Sequence, residues 1–352
     1  MKAILIILLL LISLSAAYAA EDDQVSLAVK DPKAMLRLFG DFQKTYSRHY
    51  SRSERRLRLQ NFNSFVKNAD ELNRMDEDVQ YGITFSADLT AAEANRLRGI
   101  NQTALFQDTA ESATSDDDDD DDDEDEDADE DEDTADLKIA NDVRYGPIKD
   151  QSPCGSCWAF AGVGLLEGHA YLTTGHYVAL SEQEVIDCTE GSGTNGGSLP
   201  AGLRQVRDQN HLATEADYPY QRNDGWCNAR QHSNALPFRI TAVNYIKGDN
   251  NLFSALQDAP VAVAMSFPSA LNGYKSGVWS DRVGQCAGTP LNHGVVVVAY
   301  SFQYWKVRNS WGSNWGEQGY IRFSRRVNNL CRISDSVKTI SLQKTSTVEV
   351  EE

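Results

Sequence analysis

The sequence predicts an α+β protein, in which a helical N-terminal part precedes a part that mixes helices with short strands. Between residues 31 and 100, apolar residues recur at helical spacing and turn residues are rare. After Leu137, glycine, tryptophan, tyrosine and cysteine become frequent, and apolar runs such as Pro260 to Met265 and Gly294 to Tyr300 have the length of strands. Helices first and strands later are typical of the α+β class.

The charge of the chain is concentrated in one segment. The 352 residues include 33 Lys and Arg against 52 Asp and Glu, a formal net charge of −19. Residues 116–133 hold 17 of the acids, so 35 acids face 33 bases in the remainder. That remainder is nearly neutral, which excludes a basic nucleic-acid-binding protein. With 41% hydrophobic residues the chain can form a core, which excludes a wholly disordered protein.

Residues 1–19 are predicted to be a signal peptide. Lys2 precedes an apolar stretch from Ala3 to Leu14, and Ala17-Tyr18-Ala19 has the form of a cleavage site. This run is shorter than the roughly 20 residues of a membrane span, and no later segment predicts one. We therefore expect a protein of the secretory pathway, either lysosomal (or vacuolar) or secreted, whose cysteines can form disulfides. Asn101-Gln102-Thr103 predicts an N-linked glycan.

Residues 20–108 are predicted to be helical, and residues 109–136 to be a linker. Few turn residues lie between Arg52 and Glu77, so a long helix is expected there. The linker contains the acidic run, whose like charges repel and oppose compaction, so we expect it to be disordered. A calcium-binding tract is the alternative for this run, because carboxylate oxygens suit hard cations.

One cysteine stands where it is chemically primed. Cys157 opens an apolar helix predicted to include Phe160 to Tyr171. The positive end of a helix favours the thiolate, which is the nucleophilic form. Such a thiolate needs an imidazole that supplies a proton to the leaving group, and His293 stands just before an apolar strand. Asn309 is the candidate for holding that imidazole.

The residues around these positions resemble the papain-like cysteine peptidases, and the resemblance covers nearly all of the chain from about residue 34. Gln151 to Phe160 matches the nucleophile motif Q-x-x-C-G-S-C-W-A-F of that family. Leu180 to Cys188 resembles its L-S-E-Q-x-x-x-D-C segment, and Asn309 to Ile321 matches the segment with the orienting Asn. Cys157 precedes His293 by 136 positions and Asn309 by 152, close to the expected spacing.

The resemblance implies a cathepsin L-like endopeptidase that is made as a zymogen and works by acyl transfer, without a metal or cofactor. It implies a papain-like two-lobed fold over residues 137–352, with a helical left lobe, a β-barrel-like right lobe and the active site in the cleft between them. Cys157 is then the nucleophile, His293 its general acid and base, and Asn309 the residue that orients the imidazole. Gln151 is expected to stabilise the oxyanion together with the backbone N–H of Cys157.

Substrate contacts are also implied by the resemblance. Gly196 and Gly197 correspond to a loop that pairs with an extended substrate, and Trp315 borders the leaving-group side of the cleft. The positions that align with the main specificity pocket are Leu291, Ala264, Ser336 and Leu199. All four are apolar or small, so we expect an apolar substrate residue two positions before the scissile bond.

The N-terminal helices resemble the inhibitory propeptides of the cathepsin L-like members. The spaced E-R-F-N pattern of those propeptides is matched by Glu54, Arg58, Phe62 and Asn73. The motif G-x-N-x-F-x-D is matched at its ends by Gly82 and Asp88, whereas its middle has become Thr84 and Ser86. The resemblance implies that residues 20–108 form a helical inhibitory propeptide that blocks the cleft.

The cysteines depart from the family pattern at one place. The resemblance pairs Cys188 with Cys227 and Cys286 with Cys331. Thr194 stands where the family has the partner of Cys154. Cys154 is therefore expected to be free, and a reversible oxidation that involves this thiol is an open alternative.

The expected partners are protein and peptide substrates and the chain's own propeptide, and we expect a monomer. Two other classes of function are alternatives. Cys154-Gly155-Ser156-Cys157 at a helix start also suggests a thiol–disulfide oxidoreductase, which leaves Gln151, His293 and Asn309 unexplained. An acidic calcium-buffering protein would account for residues 116–133 but not for a complete triad.

Overall fold

The computed structural model describes residues 24–101 and 138–344. We call residues 24–101 the N-terminal unit and residues 138–344 the C-terminal unit. The predicted signal peptide at 1–19 and the predicted linker at 109–136 lie outside the described residues. In the two described ranges, no helix is both long and apolar enough to cross a bilayer.

The N-terminal unit is helical, as the apolar spacing predicts. After helical residues 24–30 come α1 (Pro32–Thr45), α2 (Glu54–Met75), a short strand β1 (Val79–Tyr81) and α3 (Ala91–Asn95). The long second helix is confirmed, with 22 residues in α2. Helices α1 and α2 meet at an aromatic cluster, in which the ring of Phe62 lies 5.2 Å from Phe39 and 5.1 Å from Phe42.

The residues of the E-R-F-N pattern hold the N-terminal unit together. Phe62 is fully buried in the aromatic cluster. Arg58 joins α2 to α3 through an ion pair with Glu93 at 2.6 Å. The side-chain amide of Asn73 donates to the carbonyl of Tyr81 at 2.9 Å, and its oxygen accepts from the Tyr81 N–H at 2.7 Å. These contacts fix α2 against the strand that follows it.

The helices of the C-terminal unit are α4 (Cys157–Thr174), α5 (Glu182–Cys188), α6 (Leu199–Gln209) and α7 (Asp249–Asp258). Helix α4 is buried from its first residue to Ala170, in line with its apolar composition. It ends at Gly175, whose φ of 75° is a left-handed conformation that glycine adopts without strain. Ser181 caps α5 by accepting from the Glu184 N–H at 3.0 Å.

One nine-stranded sheet joins the two units. The strands of the C-terminal unit are β2 (Lys138–Ile139), β3 (Phe238–Ile246), β4 (Val261–Met265), β5 (Tyr274–Trp279), β6 (His293–Tyr300), β7 (Tyr304–Arg308), β8 (Tyr320–Ser324) and β9 (Val337–Lys344). Their order is β1-β5-β8-β7-β6-β4-β9-β3, with β2 on β6. The sheet is not closed among the described residues, so the barrel-like lobe that the resemblance implies is an open sheet.

The N-terminal unit supplies an edge strand to this sheet. Strand β1 pairs antiparallel with β5, with Val79 opposite Gly277. Beyond β1, the Thr84 hydroxyl donates to the carbonyl of Asn272 at 2.7 Å, and the Ser86 hydroxyl approaches the same oxygen at 3.4 Å. The two positions that depart from the propeptide motif therefore contact the C-terminal unit directly.

Candidate active site

The sheet brings His293 and Asn309 together. His293 is the first residue of β6, and Asn309 directly follows β7. Because β6 and β7 are antiparallel neighbours, with Val296 opposite Arg308, the start of one lies beside the end of the other. The Nε2–H of His293 donates to Oδ1 of Asn309 at 2.9 Å. The predicted partnership of these two residues is thus present in the fold.

Aromatic side chains fix the imidazole in place. The ring of His293 lies 4.8 Å from Phe267 and 5.0 Å from Trp311, measured between centroids. Asn309 is also held, because its Oδ1 accepts from the backbone N–H of Ser310 at 2.8 Å. The imidazole therefore has little freedom to rotate, and Nδ1 is the ring nitrogen left for exchange of a proton.

Cys157 enters the same site as the first residue of α4. Helix α4 packs against β6, where Gly294 follows His293 along the strand. A Cβ at Gly294 would lie 2.9 Å from the carbonyl oxygen of Cys157, closer than real side chains approach. Glycine at this position lets the helix start come close to the strand that carries His293.

A segment of the N-terminal unit covers Cys157. The backbone N–H of Gly99 donates to Sγ of Cys157 at 3.1 Å. The carbonyl of Gly99 accepts from the N–H of Gly197 at 2.8 Å, and the N–H of Asn101 donates to the carbonyl of Gly197 at 3.0 Å. Ile100 donates to the carbonyl of Asn292 at 3.2 Å. The segment is therefore held on both sides of the cleft.

Burial beneath the covering segment determines the protonation states of Cys157 and His293. Burial raises the pKa of Cys157 to about 11, although backbone N–H groups from Gly294, Gly99 and Trp158 oppose this shift. Burial lowers the pKa of His293 to about 3, against the opposing effect of its bond to Asn309. Both groups are then neutral at pH 7. In this covered state burial outweighs the effect of the helix start, and the thiolate expected from the helix dipole stays a prediction for the uncovered site.

Gln151 lies where its side chain can meet a carbonyl oxygen near the thiol. Its Oε1 accepts from the hydroxyl of Ser310 at 2.6 Å, which fixes the amide. Its Nε2 donates to the carbonyl of Leu97 at 3.0 Å and to that of Cys154 at 2.6 Å. Leu97 belongs to the N-terminal unit, so this unit also takes a hydrogen bond from the predicted oxyanion donor.

A buried triad anchors the chain just before Gln151. The ammonium of Lys149 lies 2.7 Å from carboxylate oxygens of both Glu167 and Glu182. It also donates to the carbonyl of Leu180 at 2.7 Å. Sequence reasoning missed this triad, because its three members are far apart in the chain.

The predicted substrate-binding residues lie around the segment of the N-terminal unit that covers Cys157. Gly197 pairs with Gly99 and Asn101, as described above, and Gly196 precedes it with a φ of 132°. Leu291 and Ala264 share a buried apolar cluster with Ile100 of the N-terminal unit. Leu199 belongs to the same cluster. Ser336 is buried beside these residues, since its carbonyl accepts from the N–H of Ala264 at 3.1 Å.

Trp311 and Trp315 lie side by side but have different contacts. Trp315 is fully buried, 5.3 Å from Trp311 between ring centroids, and its indole N–H donates to the carbonyl of Leu271 at 2.9 Å. Trp311 contacts the N-terminal unit, through Phe85 at 6.1 Å and the guanidinium of Arg98 at 5.8 Å. Trp311 is thus the tryptophan that meets the N-terminal unit, and the position of Trp315 at the border of the cleft stays a prediction.

The cysteines follow the pairing that the resemblance implies. Cys188 is bonded to Cys227 and Cys286 to Cys331, and Cys154 and Cys157 are free. The Cys154 thiol donates to the carbonyl of Arg222 at 3.3 Å. Among the described residues, one group of possible metal ligands combines Asp281 with Cys286 and Cys331. Its two sulfurs form a disulfide, so they offer no thiolate to a metal.

Comparison with known families supports both units. Residues 133–340 match the model of the papain family of cysteine proteases. Residues 39–94 match the model of the cathepsin propeptide inhibitor domain.

Individual relatives match from about half to nine tenths of the chain. Fruit bromelain of Ananas comosus is 31% identical over 329 residues, which is 90% of this chain and 89% of that protein. Procathepsin L of Rattus norvegicus is 37% identical over 202 residues, 53% of this chain and 59% of that protein. The solved structure of a recombinant stem bromelain precursor superimposes with a TM-score of 0.72 at 27% identity, covering 89% of this chain and all of that one.

Proposed function

The chain belongs to the papain family of cysteine proteases and carries the propeptide inhibitor domain of the cathepsins, and on this premise we propose which of its residues perform the reaction and which block it. The N-terminal unit is the inhibitory propeptide, and the C-terminal unit is the protease. The protein is a zymogen that hydrolyses peptide bonds once the propeptide has left.

Cys157 is the nucleophile of the proposed reaction. It passes its proton to His293, and the thiolate attacks the carbonyl carbon of the scissile bond, whose electron pair moves to the oxygen. The Nε2–H of Gln151 stabilises this oxyanion; losing one such donor typically costs about 10²–10³ in rate. The imidazolium gives its proton to the leaving amine, the C–N bond breaks, and a thioester remains on Cys157. Water, deprotonated by His293, then hydrolyses the thioester and restores the thiol.

Asn309 positions the base in this scheme. Its Oδ1 accepts from Nε2 of His293 at 2.9 Å, which leaves Nδ1 for exchange with Cys157. An imidazole held in one tautomer exchanges its proton without first having to turn.

Inhibition rests on one observation above all, the hydrogen bond from the Gly99 N–H to Sγ of Cys157. The carbonyl of Leu97 takes a bond from Gln151, and Ile100 lies among the apolar residues of the predicted pocket. Thiol, oxyanion donor and pocket are all engaged by the same five-residue stretch, 97–101. A substrate can therefore not reach Cys157 until this stretch leaves.

Ile100 also supports the proposed specificity. Its side chain is buried in the cluster that contains Leu291 and Ala264. A pocket that buries an isoleucine of the propeptide favours an apolar substrate residue by the hydrophobic effect. We assign this pocket to the residue two positions before the scissile bond.

Processing is proposed to occur between about residues 108 and 140, where the acidic run lies, because exposed polar segments are preferred sites of cleavage. The predicted signal peptide and the two disulfides support passage through the secretory pathway to a lysosome (or vacuole) or the exterior. We propose that the mature enzyme acts as a monomeric endopeptidase.

The test uses the full-length zymogen, incubated between pH 4 and pH 8 with dithiothreitol. Hydrolysis of a peptide with Phe or Leu two residues before the scissile bond is measured beside Cys157→Ala. A peptidyl epoxide probe and mass mapping identify the modified thiol. The matched control is Cys154→Ser, which removes the other free thiol and keeps the proposed nucleophile.

We expect activity to follow processing, to vanish in Cys157→Ala and to persist in Cys154→Ser. The probe should label Cys157 alone. Hydrolysis that survives in Cys157→Ala, or labelling of Cys154 instead, would overturn the assignment of the nucleophile.

A further inference from the structure

Arg98 of the N-terminal unit is inserted into the C-terminal unit beside the catalytic residues. Its Nε donates to the carbonyl of Phe267 at 2.7 Å. Its Nη2 donates to the carbonyl of Pro268 at 3.1 Å and to Oδ1 of Asn272 at 2.6 Å. The guanidinium also lies 5.8 Å from the centre of the Trp311 ring. Its planar fork thus meets acceptors in several directions and an aromatic face.

Most of these contacts belong to the C-terminal unit. The N-terminal unit itself adds only the carbonyl of Ala94, which accepts from Nη1 at 3.1 Å. Within residues 24–101 and 138–344, no carboxylate forms an ion pair with Arg98. Burial lowers the pKa of Arg98 to about 10, so the side chain stays charged at neutral pH. Neutral acceptors therefore hold a cation here, and they remain when the N-terminal unit leaves.

The acceptors are fixed by the C-terminal unit. The acceptors Phe267, Pro268 and Asn272 lie on the loop 267–273. Its start is held by Asn292, the residue before His293, whose Oδ1 accepts from the N–H of Phe267 at 2.8 Å. Asn272 lies in the 3₁₀ turn Ser269–Gly273, whose backbone belongs to the C-terminal unit. Acceptors held in this way need little rearrangement to bind a guanidinium, which favours binding.

The position of this site relative to the thiol follows from the covering segment. Gly99 contacts Sγ of Cys157, and Ile100 turns towards the apolar pocket with Leu291. Arg98 lies on the other side of Gly99, against Phe267 and Asn272. The apolar pocket takes residues before the scissile bond, so the Arg98 site lies on the side of the leaving group.

We propose that Phe267, Pro268, Asn272 and Trp311 form an arginine subsite of the mature protease, which binds an arginine located one or two residues after the scissile bond. The inference rests on the proposed function and deepens it. In the zymogen Arg98 occupies the subsite and adds to inhibition. In the mature enzyme the subsite selects substrates with a basic leaving segment.

The test compares internally quenched peptides that share Leu two residues before the scissile bond. Arginine, lysine or methionine is placed one or two residues after that bond. A control peptide of the same composition and charge carries the arginine five residues after it. The processed enzyme is assayed for kcat/KM on each peptide.

We expect kcat/KM for the peptides with arginine one or two residues after the bond to exceed that for the methionine peptides and for the displaced-arginine control by about tenfold. One charge-assisted hydrogen bond contributes about this factor. Lysine should fall between arginine and methionine, because an ammonium cannot match the fork. Equal kcat/KM for arginine and methionine would overturn the inference.

Two variants of Asn272 shift the selectivity in opposite directions. Asn272→Leu removes the acceptor and should reduce the ratio of kcat/KM for arginine to that for methionine. Asn272→Asp adds a countercharge and should raise that ratio, which a variant that is merely damaged would not do. An unchanged ratio in both variants would also contradict the subsite.

The outcomes separate this inference from the proposed function. An enzyme that cleaves all peptides at equal rates is a cysteine protease without the arginine subsite. A processed protein that cleaves none of them fails the proposed function itself.

Discussion

The backbone N–H of Gly99 donates to Sγ of Cys157 over 3.1 Å, so the main chain of the N-terminal unit lies directly on the proposed nucleophile. No side chain could be accommodated at this point. A Cβ on Gly99 would overlap the carbonyl oxygen of Gly155, which belongs to the loop that leads into α4. Inhibition therefore depends on a glycine at the closest approach of the two units.

Gly99→Ala is expected to make the zymogen leaky. The added methyl must push the covering segment away from Gly155, so the thiol of Cys157 becomes accessible. We expect the epoxide probe to label the unprocessed variant at least about tenfold faster than the unprocessed wild type, a factor equivalent to about 1.4 kcal/mol of lost closure.

The matched control is Gly40→Ala in α1, where a Cβ has no heavy atom within 4 Å. This change adds the same methyl to the same unit and should leave the labelling rate at the wild-type value. If Gly99→Ala labelled as slowly as Gly40→Ala, the segment would not be the barrier.

The reactivity of Cys157 should change with pH differently before and after processing. In the zymogen, burial raises the pKa of this thiol to about 11 and lowers that of His293 to about 3. A raised thiol pKa means that the thiolate forms only as pH rises towards 11. We expect alkylation of the zymogen to be slow at pH 7 and to increase steadily up to pH 10.

After processing, water returns to the site, and the helix start and His293 favour the thiolate. Alkylation at pH 5 to 7 should then become fast and nearly independent of pH. Iodoacetamide rates, measured in the Cys154→Ser background, check this. Identical pH profiles for the two forms would show that the cover does not control the protonation of Cys157.

Gln151→Ala should reduce turnover without a matching loss of binding. In the zymogen the Gln151 amide donates to the carbonyl of Leu97. In the proposed reaction it contributes most when negative charge develops on the carbonyl oxygen of the substrate. We expect kcat of the processed enzyme to fall by about 10²–10³ while KM changes little. Gln183→Ala, on α5, is the control, because its amide bonds to Asp187 and Asn223 instead. A rise in KM alone would remove Gln151 from the oxyanion role.

The ion pair between Arg58 and Glu93 should survive mild acid, down to about pH 4.5. Its hydrogen bonds to Arg58 lower the pKa of Glu93 to about 2. A carboxyl whose folded pKa lies below its unfolded value of about 4.3 adds stability above that value. This stability is lost as pH falls from about 4.5 towards 2.

We therefore expect Glu93→Gln to lower the first thermal transition of the zymogen by a constant amount between pH 7 and pH 5. The difference from wild type should shrink only below about pH 4.5. Glu71→Gln, at an exposed position of α2, is the control and should have little effect. A difference that already disappears at pH 5 would show that acid opens the N-terminal unit through this pair.

Lys149→Met should destabilise the C-terminal unit strongly. The substitution leaves Glu167 and Glu182, each with a side chain 1% exposed, without their shared cation. Breaking a buried ion pair from one side typically costs about 3–5 kcal/mol in the free energy of unfolding. Lys44→Met is the matched control, because Lys44 and its partner Asp41 are 82% and 69% exposed. Urea unfolding should show less than about 1 kcal/mol for this control, and equal effects would contradict the buried triad.

The pattern of apolar residues along the chain predicted those strands that are buried on both faces. The run from Pro260 to Met265 became β4 and the run from Gly294 to Tyr300 became most of β6, because strands buried on both faces are apolar throughout. Strands β3 and β9 were not predicted. They pair mainly with each other, and polar residues such as Arg239 and Asn244 interrupt their pattern. The pairing partner, which decides such strands, is almost 100 residues away.

The sequence by itself determined the chemistry of this protein: a cysteine at a helix start, a histidine and an asparagine at the right distance along the chain, and an inhibitory propeptide. Tertiary structure decided the state of that chemistry. Pairing of β6 with β7 brings His293 to Asn309. The chain at Gly99 covers Cys157, and burial keeps this group a neutral thiol in the zymogen. Arg98 donates to acceptors on a loop about 170 positions later in the chain. Burial and contacts between distant segments create these properties, and no local pattern encodes them.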